Sequence, residues 1–250
     1  MTASTAASMS IMEPPLSPRA ALRWSVVRSM VAGLHPESIV ELGCGLGAVG
    51  VRLARLAPRY TAVEPDLDSF RIARSRLAAA VVHGDHTVLA PGSFDLVCAF
   101  EVLEHIDDDA TAAAQWLALA RPGGHLLISV PADPHRFGPS DVLVGHYRRY
   151  TADGLRDRLV GAGGVDVSVR HYGWPLGYLL DSVRDRLAAR RVATAAPTAT
   201  ERTHTSGRVF QPRQRVTGGL IRAGVAPFAL LQRARPGHGP GLIALARRPD

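Results

Sequence analysis

Apolar positions along the chain follow two rhythms that alternate. Residues 20–34 carry Leu22, Val26, Val27, Met30 and Val31 at helical spacing, and Ser17-Pro18 supplies a start signal. A short apolar run then predicts a first strand at residues 38–42, leading into Gly43-Cys44-Gly45-Leu46-Gly47 and a helix over 48–56. Further strands are predicted at 60–63, 80–83, 94–100 and 125–130. Helices over 69–79 and 108–119 separate them, and Pro122-Gly123-Gly124 stops the second. Strands that are almost wholly apolar and alternate with helices through short connections suit a parallel sheet covered on both faces. The expected class is therefore α/β and doubly wound.

After Pro131 the rhythm breaks. Residues 132–150 read as a long polar loop, Thr151 as the cap of a helix ending at Gly163-Gly164, and 165–171 as a sixth strand. A last apolar run, GLIALA at 241–246, predicts a final strand. Between them lie two helix candidates, 176–191 and 218–233, and an Ala/Thr-rich stretch at 192–205. The apolar stripe of the second candidate (Leu220, Ile221, Val225, Phe228, Leu230, Leu231) suits either its own domain or a membrane interface. The expected division is a disordered leader at 1–17, a core at 18–183, a basic insertion or lid at 184–239, and a returning strand at 240–250.

Charge sharpens that division. The chain of 250 residues has a formal charge of +7, and all 29 of its basic residues other than histidine are Arg. From Arg184 onward 13 Arg face 3 acidic residues, whereas the first 183 residues carry 16 Arg against 19 acidic ones. The excess belongs to the C-terminal segment, which argues against a uniformly basic nucleic-acid binder. No apolar run approaches the ~20 residues of a membrane span, and the first twenty residues lack the pattern of a signal peptide. Cys44 and Cys98 are too few for a disulfide framework, so a reducing cytoplasm is the default expectation.

Candidate chemistry clusters at predicted strand ends. Glu41-x-Gly43-x-Gly45-x-Gly47 lies directly after a strand and before a helix, where glycines permit a tight turn and the helix N-terminus favours negative charge. Such a loop alone also fits a dinucleotide. Glu64 stands 21 residues past Gly43, at the end of the second strand, where a carboxylate can accept both ribose hydroxyls. Asp85 closes the third strand. All three lie where open α/β sheets bind ligands.

Together, VELGCGLG, AVEPD, HGD, FDLVCAFEVLEHI and LARPGGHLLISVP resemble the class I S-adenosylmethionine-dependent methyltransferases, in particular the small-molecule and ubiquinone-type group. The resemblance runs from about Ile39 to Val169. It implies a Rossmann-like, mostly parallel sheet of seven strands, the last one antiparallel and formed by GLIALA. It further implies S-adenosylmethionine as cofactor: Gly43, Gly45 and Gly47 around its methionine part with Glu41 near the amino group, Glu64 on the ribose, and Asp85 with His86 by the adenine. Phe100 and Glu101 would line the methyl-donor site, with His105 at its rim unless it caps the helix opened by Asp107-Asp108-Asp109.

Transfer from a sulfonium asks the protein mainly to align a nucleophile and exclude water, and a base is needed only for a protonated acceptor. His105 and His146 are the candidate bases. Tyr147, Arg148, Arg149 and Tyr150 are the candidate acceptor contacts, suited to an acidic or phosphorylated small molecule unless the loop merely docks on its own domain. Strand four runs into Ala-Phe-Glu-Val, without the Asn-Pro-Pro-Tyr-type motif of nucleobase amine methylation. Nothing resembles the carboxylate set of catechol-type enzymes, so metal-independent transfer is expected. The expected function is methylation of an oxygen, or second a nitrogen, of a small metabolite. The alternatives are an RNA methyltransferase using the basic segment and a non-catalytic partner subunit that binds cofactor.

Overall fold

The computed structural model describes residues 13–192 and 215–250. The leader up to residue 12 and nearly all of the Ala/Thr-rich stretch lie outside the described residues. The first helix, α1 (Pro18–Leu34), starts where Ser17 Oγ accepts from Ala20 N at 3.3 Å, with Pro18 in the first turn where its missing N–H has no consequence. The strands are β1 (Ser38–Leu42), β2 (Arg59–Glu64), β3 (Val81–His83), β4 (Phe94–Phe100), β5 (Ala120–Pro131), β6 (Val165–Tyr172) and β7 (Gly241–Arg247). Between them run α2 (Gly50–Leu53), α3 (Leu67–Leu77), α4 (Asp109–Leu119), α5 (Pro139–Val144), α6 (Ala152–Gly161), α7 (Leu176–Val192) and α8 (Arg215–Leu231).

Three elements differ from the sequence reading. The helix expected over 48–56 shrinks to the four residues of α2. β5 begins before Pro122-Gly123-Gly124, because the strand absorbs these residues as an irregularity between the Phe94↔Ala120 and Leu96↔His125 pairs. The loop at 132–150 contains a 3-10 turn (Pro134–Arg136) and α5, with Pro139 at the start of α5 and Gly145, at φ 79°, closing it. Its helix is too short and too polar for periodicity to reveal.

The sheet order is β3-β2-β1-β4-β5-β7-β6, with β7 antiparallel to both neighbours and the other pairings parallel. Strand order reverses between β1 and β4, so the crevice outside their C-terminal ends is where a ligand binds in such sheets. Alternation along the strands splits the core in two. Val40, Leu42, Val97, Ala99, Leu126 and Ile128 face Trp116 and Leu117 of α4 and Leu155 and Leu159 of α6. Ile39, Leu96, Cys98, Phe100 and Leu127 face Leu22, Val27 and Val31 of α1 and Val225 of α8. Cys44 and Cys98 are buried and unpaired. No helix among the described residues is long and apolar enough to cross a membrane.

The apolar stripe of α8 meets α1: Ile221, Val225 and Phe228 join the same core as Leu22 and Val27. Gln232, just past α8, secures this packing. Its Nε2 donates to Leu22 O at 3.1 Å and to Ser25 Oγ at 2.6 Å, and its Oε1 accepts from Gly173 N at 2.8 Å. Truncation orphans the buried Gly173 N–H. The expected cost of Gln232→Ala is about 2 kcal/mol in urea unfolding, and a loss below experimental error would show that α8 is not held there.

Candidate active site

The glycine loop leaves β1 in the left-handed region at Gly43 (φ 66°), Gly45 (φ 55°) and Gly47 (φ 74°). Gly43 N and Cys44 N both donate to Val63 O of β2, which anchors the turn to the neighbouring strand. A Cβ on Gly43 would stand 2.9 Å from Val102 Cγ2, so glycine is required there on two counts. Glu64 holds the loop from the side: its Oε2 accepts from Gly45 N at 2.7 Å and its Oε1 from Asp66 N at 2.9 Å. Burial raises the Glu64 carboxyl above its ordinary value despite these bonds. Glu41, on the α1 side of β1, accepts from the Tyr60 hydroxyl, and burial pushes its pKa up to about 7. Asp85 closes β3 and accepts from Thr87 N and Oγ1, which hold it below its usual range. His86 Nε2 lies 2.7 Å from Gln115 Oε1.

β4 delivers Phe100 and Glu101. Glu101 takes φ 58°, costly for a residue with a Cβ, and such a conformation persists only where the surroundings impose it. Its N–H donates to Ser129 O at 2.9 Å. Its Oε1 accepts from Ser129 Oγ and Tyr172 Oη, both at 3.0 Å, and Arg19 and Arg23 of α1 approach its oxygens at 3.3 and 3.4 Å. Burial alone would raise this carboxyl, but the two guanidiniums outweigh it and hold it at about 2. The Arg23 guanidinium also lies 5.5 Å from the centre of the Phe100 ring.

One turn further on, Glu104, His105 and His146 converge. Glu104 is fully buried and neither of its oxygens has a hydrogen-bond partner; burial and then the charge of Glu101 push its carboxyl well above its ordinary value. His105 packs edge-on against His146, ring centres 4.6 Å apart, and burial together with His146 lowers it to about 4. His146 Nδ1 lies 2.7 Å from Asp141 Oδ1, and its Nε2 lies 3.7 Å from Glu104 Oε1. Burial opposes the charge of Asp141, but bonds from His146 and Arg149 win and keep it ionised. An ionised carboxylate only accepts, so in the neutral imidazole Nδ1 carries the proton and Nε2 the lone pair. Glu104, His105 and His146 also bring one ligand atom each to within 4.8 Å of one another, a set that suits a divalent cation. The sequence reading expected no metal set because spacing hides this one: His146 is 41 residues from His105.

The fold brings most of the expected residues to one crevice and redirects others. Asp108, not His105, caps α4, with Oδ1 accepting from Thr111 N. Arg148 pairs with Asp107 and Asp109, and Tyr150 donates to Asp109 at 2.8 Å. Arg149 is buried between Asp141 (2.7 Å) and Asp181 (3.6 Å). Of the four expected acceptor contacts, Tyr147 alone is exposed, so the loop offers no open cation at Arg149. Sequence reasoning missed Arg19, Arg23, Asp141, Tyr172 and Asp181. They come from helices and a strand far apart in the chain, and no local spacing marks them.

A crevice at the reversal of strand order, with a glycine turn after β1, a carboxylate at the end of β2 and an acid leaving β4, is the arrangement of a nucleotide-type ligand site in an open α/β sheet. The family model described as a methyltransferase domain matches residues 21–169. The chain belongs to that family and is a class I S-adenosylmethionine-dependent methyltransferase. An uncharacterized methyltransferase of Mycobacterium bovis is 28% identical over 174 residues, which cover 67% of this chain and 84% of its own. A ubiquinone biosynthesis O-methyltransferase of a Methylobacterium species is 39% identical over 101 residues, 38% of this chain and 39% of its own. Among solved structures, a SAM-dependent methyltransferase from Archaeoglobus fulgidus shares the fold with a TM-score of 0.56 at 14% identity, covering 89% of this chain and 91% of the other. So does Haemonchus contortus phosphoethanolamine N-methyltransferase 2 bound to phosphomonomethylethanolamine and S-adenosylhomocysteine, with a TM-score of 0.56 at 16% identity over 91% of this chain and 53% of the other.

Removing one member of a buried ion pair strands the others. Arg149→Met should therefore destabilise the fold by about 3 kcal/mol in chemical unfolding. A neutral result would mean that Asp141 and Asp181 are satisfied without it.

Proposed function

We propose that the enzyme methylates an oxygen of a small-molecule acceptor, with His146 as general base and Asp141 fixing its tautomer. The observation that carries this reading is the Asp141–His146 contact beside the end of β4, which leaves Nε2 as a lone-pair acceptor. Bound S-adenosylmethionine supplies a methyl group already activated on a sulfonium. Gly43, Gly45 and Gly47 would hold its methionine part with Glu41 at the amino group, Glu64 would hold the ribose, Asp85 and His86 the adenine, and Phe100 and Glu101 would line the donor site. His146 takes the acceptor's hydroxyl proton on Nε2 as the oxygen attacks. His105, neutral and packed against it, limits the angles the ring can take. Tyr147 covers the acceptor.

A second reading is favoured by the orphaned oxygens of Glu104. There Glu104, His105 and His146 hold a divalent cation, which would supply Lewis acidity toward the acceptor hydroxyl. Chelation separates the two: activity that survives chelator treatment and falls by about 10²–10⁴ in kcat in His146→Ala, with S-adenosylhomocysteine affinity unchanged, supports the base. Activity that chelation abolishes and one divalent ion restores supports the cation and removes the base reading.

The cofactor side has its own test. In the free protein burial leaves Glu41 partly protonated near neutrality, and a cofactor ammonium beside it favours the charged form. Binding of S-adenosylhomocysteine therefore releases a proton, and affinity rises from about pH 6 to about pH 8. Calorimetry in two buffers of different ionisation enthalpy measures this. Glu41→Gln should flatten the slope, and Glu64→Ala should lose binding at every pH. An unchanged slope in Glu41→Gln would remove Glu41 from the cofactor's amino group.

A further inference from the structure

Arg23 is a cation set inside the protein with its hydrogen bonds unmade. Its side chain is only 11% exposed, and its contacts are an ion pair, Nη1 3.4 Å from Glu101 Oε1, and the Phe100 ring. Among the described residues the guanidinium donates no hydrogen bond, although it carries five N–H groups. Arg19, one turn earlier on α1, is occupied by contrast: Nη1 donates to Asp181 Oδ1 at 2.6 Å and Nη2 to Pro240 O at 3.5 Å. Glu101 has other donors in Ser129 and Tyr172, and Arg19 Nη2 lies 3.3 Å from its second oxygen, which leaves Arg23 at ion-pair distance. Arg23 acts on both halves of the crevice. Phe100 and Glu101 leave β4, and on β1 the Glu41 carboxyl is raised by burial and lowered by the Tyr60 hydroxyl and then by the charge of Arg23.

We propose that Arg23 binds the carboxylate of a ligand in the crevice. A guanidinium fork donates two parallel N–H bonds to a carboxylate, a match that a hydroxyl or an amine does not offer. The protein's own carboxylates nearby are engaged, Glu41 by Tyr60 and Glu101 by Ser129 and Tyr172. The ligand carboxylate has two sources. The methionine part of the cofactor carries one beside the amino group assigned to Glu41, and an acidic acceptor would bring one to Phe100 and Glu101. In either case α1 supplies the ligand-binding cation that Arg149, buried between two aspartates, does not. The inference rests on the cofactor placement proposed above and is independent of the base and cation readings.

The test is calorimetry on the full chain with S-adenosylhomocysteine and with its decarboxylated analogue, which keeps the amine. For a cofactor carboxylate, the wild type prefers S-adenosylhomocysteine by about tenfold or more, and Arg23→Met binds the two ligands alike. Unchanged affinity for the analogue establishes that the variant is folded. For an acceptor carboxylate, Arg23→Met keeps the preference, and acetate titrated into the S-adenosylhomocysteine complex binds the wild type but not the variant. Arg23→Lys keeps the charge beside Glu101 without the fork. It should weaken whichever signal the wild type shows, and it decides the matter if Arg23→Met does not fold. The assignment is overturned if neither the preference nor acetate binding depends on residue 23. Full affinity in Glu64→Ala would instead refute the cofactor placement.

Discussion

A chain of alternating buried charges holds this active site together. It starts at Glu101, passes through Arg19 to Asp181, then through Arg149 to Asp141, and ends at His146. Taking ions out of water is costly unless each finds its partner, so every member is tolerated only because the others are present. The members come from α1, the end of β4, α5 with the segment after it, and α7. Burying them together fixes how those elements sit relative to one another. The left-handed backbone of Glu101 is a product of the same constraint, since Ser129, Tyr172 and two arginines hold the carboxylate where relaxed geometry would not put it.

The cofactor side obeys a different rule. There the backbone does the shaping, through three glycines at positive φ, and carboxylates at the ends of β1, β2 and β3 decorate it. Glu64 links the two levels, because its carboxylate accepts from the N–H of Gly45 inside the glycine turn. The loop is thereby held open by a residue whose proposed partner is the cofactor's ribose. Glu104 differs from all of these, as a buried acid with neither oxygen bonded. Such a group is expensive, and its neighbours His105 and His146 are the chemistry available to relieve it.

The strand assignments were legible because a parallel sheet covered on both sides needs runs of apolar residues, and the glycine turn was legible because it is contiguous. β1 and β4 match the expected residues. The antiparallel β7 came from resemblance, and its pairing with β5 and β6 agrees. Residues 132–150 were harder: Asp141, Arg149 and Tyr150 look like a polar surface loop, yet their side chains are buried in ion pairs and hydrogen bonds with partners on other elements. Polarity signals exposure in a sequence, and the signal fails where charges are neutralised in the interior.

Local order, then, was set by the sequence on its own. Periodicity dictates helix or strand, glycines and prolines mark the turns, and motifs within a few residues of one another specify a class I methyltransferase. Only the tertiary structure decided which distant side chains meet. His105 and His146 become neighbours, Asp141 orients His146, α1 reaches Glu101, and α7 turns its two carboxylates inward. The physical reason is that ion pairing and packing act through space, over separations in the chain that carry no periodic trace.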